Sequence, residues 1–139
     1  MEKLTLQVGV KLFLKNDVGR YLILKRSPIR YPHIVNFWDI PGGRIIPGTT
    51  LLENLKREVF EETRLSVYGE PRLICAQDIL RLPEKHIVRL TFSGTTSGEP
   101  VLGEEHVEYQ WVTLGDMKAL SKLDEFTREV LEKNISFII

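Results

Sequence analysis

Cysteine is almost missing from this sequence: Cys75 is the one thiol among 139 residues. An intrachain disulfide is therefore excluded, which agrees with a reducing compartment. Set within Leu73-Ile74-Cys75-Ala76, the residue reads as a small core hydrophobe. Long hydrophobic runs are missing as well. None approaches the roughly 20 apolar residues that a bilayer-crossing helix requires, and Met1-Glu2-Lys3-Leu4-Thr5 lacks the apolar centre of a secretory leader. The expectation is a soluble, cytoplasmic protein with no membrane partner. Neither sign of charge is in excess, with 19 basic and 19 acidic residues. This gives no electrostatic footprint for a nucleic-acid polymer. There is no repeat, low-complexity tract or Gly/Ser linker, and the length suffices for one core. We expect a single domain over residues 1–139.

What is present falls into strands around one central helix. Leu4 to Lys15 is rich in Leu, Val and Phe with partial alternation, as in a strand. Asn16-Asp17-Val18-Gly19 supplies turn residues, and Tyr21 to Lys25 forms the second arm of a hairpin. A loop over Ser27 to Asn36 leads to Pro41-Gly42-Gly43. From Thr50 to about Thr63 the period becomes helical, with Thr50 and Glu53 spaced as a capping box. Strands are expected over Arg72 to Leu82, His86 to Phe92 and Tyr109 to Thr113. A helical turn near Asp116 to Leu120 and a helix from Asp124 to Lys133 follow. Ile135 to Ile139 reads as a last strand or a packed tail. Strands before and after a helix argue for an α/β fold with a mixed sheet.

The central helix carries Arg57-Glu58-Val59-Phe60-Glu61-Glu62. At about 100° per residue, three carboxylates share an arc of about 100°. Glu58 and Glu62 border the apolar stripe of Leu52, Leu55 and Val59, while Glu61 lies farther toward solvent. Clustered like charges at a half-buried position need a positive counterpart, and a hard divalent cation prefers carboxylate oxygen. The competing reading is a solvated acidic face. Arg57 stands one turn after Glu53 and one turn before Glu61, so it pairs with Glu53 or flanks Glu61 and positions the carboxylates.

The segment before the helix makes a resemblance specific. Gly43, five residues, Thr49, seven residues and then Arg57-Glu58-Val59-Phe60-Glu61-Glu62-Thr63-Arg64-Leu65 resembles the signature box of the Nudix (MutT-like) hydrolases. Thr49 replaces the glutamate of that box and Arg64 its last glycine. Glu53 is then the expected substitute partner for Arg57, and Arg64 has to adopt a left-handed backbone angle. The paired strands ending in Leu24-Lys25-Arg26, the segment Glu105-His106-Val107-Glu108-Tyr109-Gln110-Trp111 and the C-terminal helix extend the resemblance along the chain.

The resemblance implies a Nudix-type α/β/α sandwich and a Mg²⁺-dependent hydrolase, with Mn²⁺ as the alternative ion, cleaving a phosphoanhydride in a nucleoside diphosphate-linked compound. By the same resemblance the metal set is Glu58, Glu61, Glu62 and the carbonyl of Gly42, with Glu61, Glu105 and Arg57 in catalytic roles. Arg26, Arg44 and the backbone at Gly43 are the candidates for contact with substrate. Glu105 is preferred as the general base over Glu104 and Glu108. His33 and His86 read as structural or surface residues, and Trp38 and Trp111 as packing. The preferred substrate is a nucleoside triphosphate, with ADP-ribose or a nucleotide sugar second and a catalytically weak nucleotide-binding module third. The expected partner is thus a small nucleotide, bound by a monomer or homodimer.

Overall fold

The computed structural model describes residues 3–138. Its organising element is β1 (Thr5–Lys15), whose alternation sorts side chains between two faces. Val10, Leu12 and Leu14 enter one apolar cluster and Phe13 the other. One edge of β1 runs parallel to β6 (Lys85–Thr95) from Thr5↔Lys85 to Lys15↔Thr95, and β6 in turn pairs antiparallel with β5 (Tyr68–Ile79).

The other edge of β1 is divided. The Asn16 side chain closes the turn by accepting from the Val18 and Arg20 amides, yet β1 and β2 (Tyr21–Arg26) register only at Lys15↔Tyr21. Beyond that point β1 pairs with β4 (Gly42–Arg44). Meanwhile β2 pairs with β3 (Trp38–Asp39) and β7 (His106–Val112). The expected hairpin is therefore a fork. Residues from both prongs line the main cleft.

Helices cover both faces of this mixed sheet, giving the expected α/β/α sandwich. The stripe of α1 (Leu51–Thr63) sets Leu55 and Val59 against Val10, Leu12, Leu14, Leu22 and Leu24. On the opposite face, α2 (Leu114–Ala119) and α3 (Glu125–Ile138) bring Met117, Val130 and Leu131 to Phe13, Tyr21 and Ile23.

Several boundaries differ from expectation. The strand expected over Arg72 to Leu82 starts at Tyr68 and stops at Ile79. Two short strands, β3 and β4, were not expected, because pairs and triplets of residues carry no period. The run from Ile135 is not a strand: α3 continues past a kink at Asn134 to Ile138, which packs against the core as the alternative of a packed tail anticipated. Ile139 lies outside the described residues. Cys75 is only partly buried, at the margin of the cluster around Phe13.

Candidate active site

A backbone loop and one helix face build the acidic end of the cleft. Gly42 has φ of 140°, and a Cβ there would lie 2.0 Å from the Val10 carbonyl oxygen, so β4 approaches β1 as only glycine allows. Its amide donates to Glu62 Oε1 at 2.8 Å. A Cβ on Gly43 would lie 2.5 Å from Glu58 Oε2, so the missing side chain is the space in which the Glu58 carboxylate sits. The Gly42 carbonyl, expected as a metal ligand, has the Lys11 ammonium 3.5 Å away. On Gly42 it is the amide that engages the acidic helix.

Asn54 ties this loop to α1. It is buried; its Oδ1 accepts from the Ile46 amide (2.8 Å) and Arg57 (3.0 Å), and its Nδ2 donates to Thr49 Oγ1 and the Thr50 carbonyl, both at 2.6 Å. Thr49 Oγ1 donates onward to the Ile46 carbonyl at 2.6 Å. The expected partner of Arg57, Glu53, is exposed and makes no ion pair with it; Asn54, one position along, faces inward and takes that role. Arg57 also donates to the Arg44 carbonyl (3.2 Å), Glu58 (2.9 Å) and Glu61 (3.3 Å). It thus joins loop, helix and two carboxylates. Thr50 caps α1 by accepting from the Glu53 amide at 3.1 Å. Arg64 ends the helix at φ 63°, its amide donating to the Phe60 carbonyl at 2.8 Å.

The carboxylates separate by environment. Glu62 is buried at the cleft wall, and burial pushes its pKa up to about 8, against the pull of Lys11 and the Gly42 amide and with Glu58 and Glu105 adding to the rise. Burial raises Glu58 also, with Arg57 opposing. Glu61 is exposed, held by Arg57, and does not line the cleft. Glu105 does line it, and its carboxylate, a Glu62 oxygen and a His106 nitrogen lie within 4.8 Å of one another. Glu104 instead points to Arg30 (3.5 Å), and Glu108 accepts from Gln110 (3.1 Å).

This donor set fits a divalent cation. Two carboxylates with raised pKa share a wall of the cleft, and neither Glu62 Oε2 nor the Glu105 carboxylate takes part in a hydrogen bond among the described residues. Of the cations that act on these two carboxylates, Lys11 is paired to Asp39, and Arg57 is shared among Glu58, Glu61 and Asn54.

The cleft has a volume of about 710 Å³ and is lined by Lys11, Arg26 and Arg89, which gather on the buried Asp39 behind it. Lys11 (3.0 Å), Arg26 (3.3 Å) and Arg89 (3.4 Å) surround that carboxylate, and the Thr127 hydroxyl donates to it at 2.6 Å. Burial alone would raise the Asp39 pKa, but Lys11, Arg89 and Arg26 outweigh it and hold the group far below the ordinary carboxylate range. Arg89 reaches on to Asp124 at 3.1 Å. Of the two arginines expected to face substrate, Arg26 lines the cleft while paired to Asp39 and stacked on Tyr31. Arg44 lines it next to Gln7. At the far end, Arg81 spans to Glu125 and lies over Phe126.

Lys11, Asp39, Asn54, Arg89 and His106 were not among the expected site residues. Lys11 and Arg89 do carry a signal, as charged residues inside otherwise apolar strands. His106 reaches the cleft, and Asp39 the cations that line it, through pairings over long sequence distances. Among the other expectations, Trp38 is buried packing, and Trp111 donates to Glu99 at 3.0 Å. His86 pairs with Asp78 at 2.7 Å.

A two-faced mixed sheet that forks beside an acidic helix, with a glycine loop cradling the helix carboxylates, defines the MutT-type α/β/α hydrolase architecture. The sequence profile of the NUDIX domain matches residues 5–133. The chain belongs to the Nudix (MutT-like) hydrolase family. It is 31% identical over 116 residues to a Bacillus subtilis (strain 168) protein named as a candidate 8-oxo-dGTP diphosphatase, covering 77% of this chain and 66% of that relative's length. It is 25% identical over 103 residues to the 8-oxo-dGTP diphosphatase of Buchnera aphidicola subsp. Schizaphis graminum, covering 70% and 76%. The crystal structure of a MutT protein from Methanosarcina mazei Go1 superposes with a TM-score of 0.81 at 30% identity, covering 96% of this chain and 94% of that one.

Proposed function

We propose that the protein is a divalent-metal-dependent pyrophosphohydrolase of nucleoside triphosphates, with Mg²⁺ or Mn²⁺ as the ion. The observation that carries this reading is the convergence of Glu58, Glu62 and Glu105 on one wall of a cleft whose floor is cationic. A bound divalent ion supplies neutralisation of diphosphate charge and a more acidic water. The chain's own residues do the rest. The Gly42 amide and Arg57 orient Glu62 and Glu58. Lys11, Arg26 and Arg44 give the cleft a positive field for an anionic substrate. Glu105, exposed and without a hydrogen bond among the described residues, accepts the proton of the attacking water. The bridging P–O bond breaks, leaving a nucleoside monophosphate and pyrophosphate.

Both departures from the family box are accommodated by local structure, which supports turnover rather than binding alone. Thr49 works with Asn54 to hold Arg57, and Arg64 closes α1 despite its backbone angle. The choice of a triphosphate is supported by the two relatives named for 8-oxo-dGTP.

The test is product release from a panel of normal and oxidised nucleoside triphosphates, ADP-ribose and nucleotide sugars, with Mg²⁺ or Mn²⁺, alongside Glu62→Gln. The reading predicts metal-dependent pyrophosphate release from at least one triphosphate, reduced at least a hundredfold in the variant. Tight nucleotide binding without metal-dependent turnover of any substrate overturns the hydrolase reading. Preferential turnover of ADP-ribose replaces the triphosphate.

A further inference from the structure

His106 opens β7 and reaches the cleft wall opposite Glu62. Its side chain is only 9% exposed, yet neither ring nitrogen makes a hydrogen bond among the described residues. Nδ1 is fully buried and unpartnered. Nε2 is 3.9 Å from Glu62 Oε2, beyond hydrogen-bond distance. Buried imidazoles ordinarily satisfy at least one nitrogen, through a carbonyl, carboxylate, water or metal.

The surrounding groups are arranged for a ligand rather than for a pair. Glu62 Oε1 is taken by the Gly42 amide, which leaves Oε2 turned to His106. Glu105, the preceding residue, completes a group in which one ligand atom from each of Glu62, Glu105 and His106 lies within 4.8 Å of the others. The position of His106 is fixed by the backbone: it pairs with Arg26 across a register shift between Lys25 and Arg26. Glu105 precedes β7 and so stands outside the alternation of that strand, which is how it and His106 both line the cleft.

We propose that His106 is a nitrogen ligand in the divalent-cation centre, making it a mixed imidazole–carboxylate site that favours first-row transition ions such as Mn²⁺ and Co²⁺ over Mg²⁺. The chemistry follows from the donors. Mg²⁺ prefers oxygen in a regular octahedron and retains its waters, whereas imidazole nitrogen raises affinity for transition ions. The inference rests on the reading of this wall as a cation site, and the two fail in different ways.

The deciding experiment is electron paramagnetic resonance of Mn²⁺ added to the full chain, with electron spin-echo modulation on protein carrying ¹⁴N- or ¹⁵N-histidine, compared with folded His106→Gln and Glu62→Gln. The expected result is bound Mn²⁺ showing histidine-nitrogen coupling that changes with the isotope and vanishes in His106→Gln. Isothermal titration should show Mn²⁺ and Co²⁺ affinity falling about tenfold or more in that variant, with Mg²⁺ affinity changing less than threefold. If wild-type protein binds Mn²⁺ in a Glu62-dependent manner but shows no histidine coupling, the nitrogen ligand is overturned while the cation site stands. Coupling that persists in His106→Gln assigns it to another histidine and also overturns the proposal. Failure of the wild type to bind Mn²⁺ overturns both readings. The wild-type isotope comparison is decisive even if either variant fails to fold.

Discussion

Burial penalises the ionised form of the Glu62 carboxyl when no cation faces it. Its folded pKa of about 8 stands above an unfolded value of about 4.3, so between these limits the folded chain binds more protons than the unfolded chain. Stability without metal must therefore fall as pH rises through that window. Urea denaturation in chelator from pH 5 to 9 should show this decline, and Glu62→Gln should flatten it. Added Mn²⁺ should raise the melting temperature most at the alkaline end, where the proton no longer competes; equal protection at every pH would contradict the assignment. Gly43 makes a geometric demand at the same scale. With a Cβ only 2.5 Å from Glu58 Oε2, Gly43→Ala displaces that carboxylate and should lower turnover on the order of 10²-fold. Circular dichroism should remain native, since the clash is with a side chain at the cleft and not with the core.

At the scale of elements, α1 ends under strain and begins under control. Arg64 occupies φ 63°, a conformation that favours glycine, so Arg64→Gly should stabilise the fold by about 0.5–1 kcal/mol. Loss of the guanidinium over Phe60 offsets part of that gain. Asn54→Ala acts at the other end: it unseats Thr49, the Ile46 amide and Arg57 together, and should cost about 1–3 kcal/mol with a parallel loss of turnover, measured by denaturant titration and initial rates. The acidic helix was legible in sequence because it has a period, a cap and a box of fixed spacing. Helical geometry alone placed Glu61 farther toward solvent than Glu58 and Glu62, and that is where it lies. Asn54 was not legible, because a turn-favouring residue inside a helix declares its partners only once the loop folds back. Nor were β3 and β4, whose few residues are defined by what they pair with. His106 was legible only as part of a family-like segment and not as a site residue, since Glu62, which it faces, comes from α1.

The whole molecule is joined at one buried carboxylate. Asp39 of β3 meets Lys11 of β1, Arg26 of β2, Arg89 of β6 and Thr127 of α3, so strands from both prongs of the fork and a covering helix depend on one charge. Asp39→Asn leaves three cations around a neutral amide and should destabilise by about 3–5 kcal/mol, seen as a lower urea midpoint. Its depressed pKa means that this contribution is present above the ordinary carboxylate range and is lost only as pH falls toward the folded value. The long parallel ladder between β1 and β6 has a different consequence, one of timing. Its paired residues, Thr5 with Lys85 through Lys15 with Thr95, are separated by about eighty positions, so loop closure has to precede the central pairing. During synthesis, β1 therefore leaves the ribosome long before its main partner exists, and its apolar face remains open to chaperones or to a neighbouring nascent chain until residue 95 has emerged.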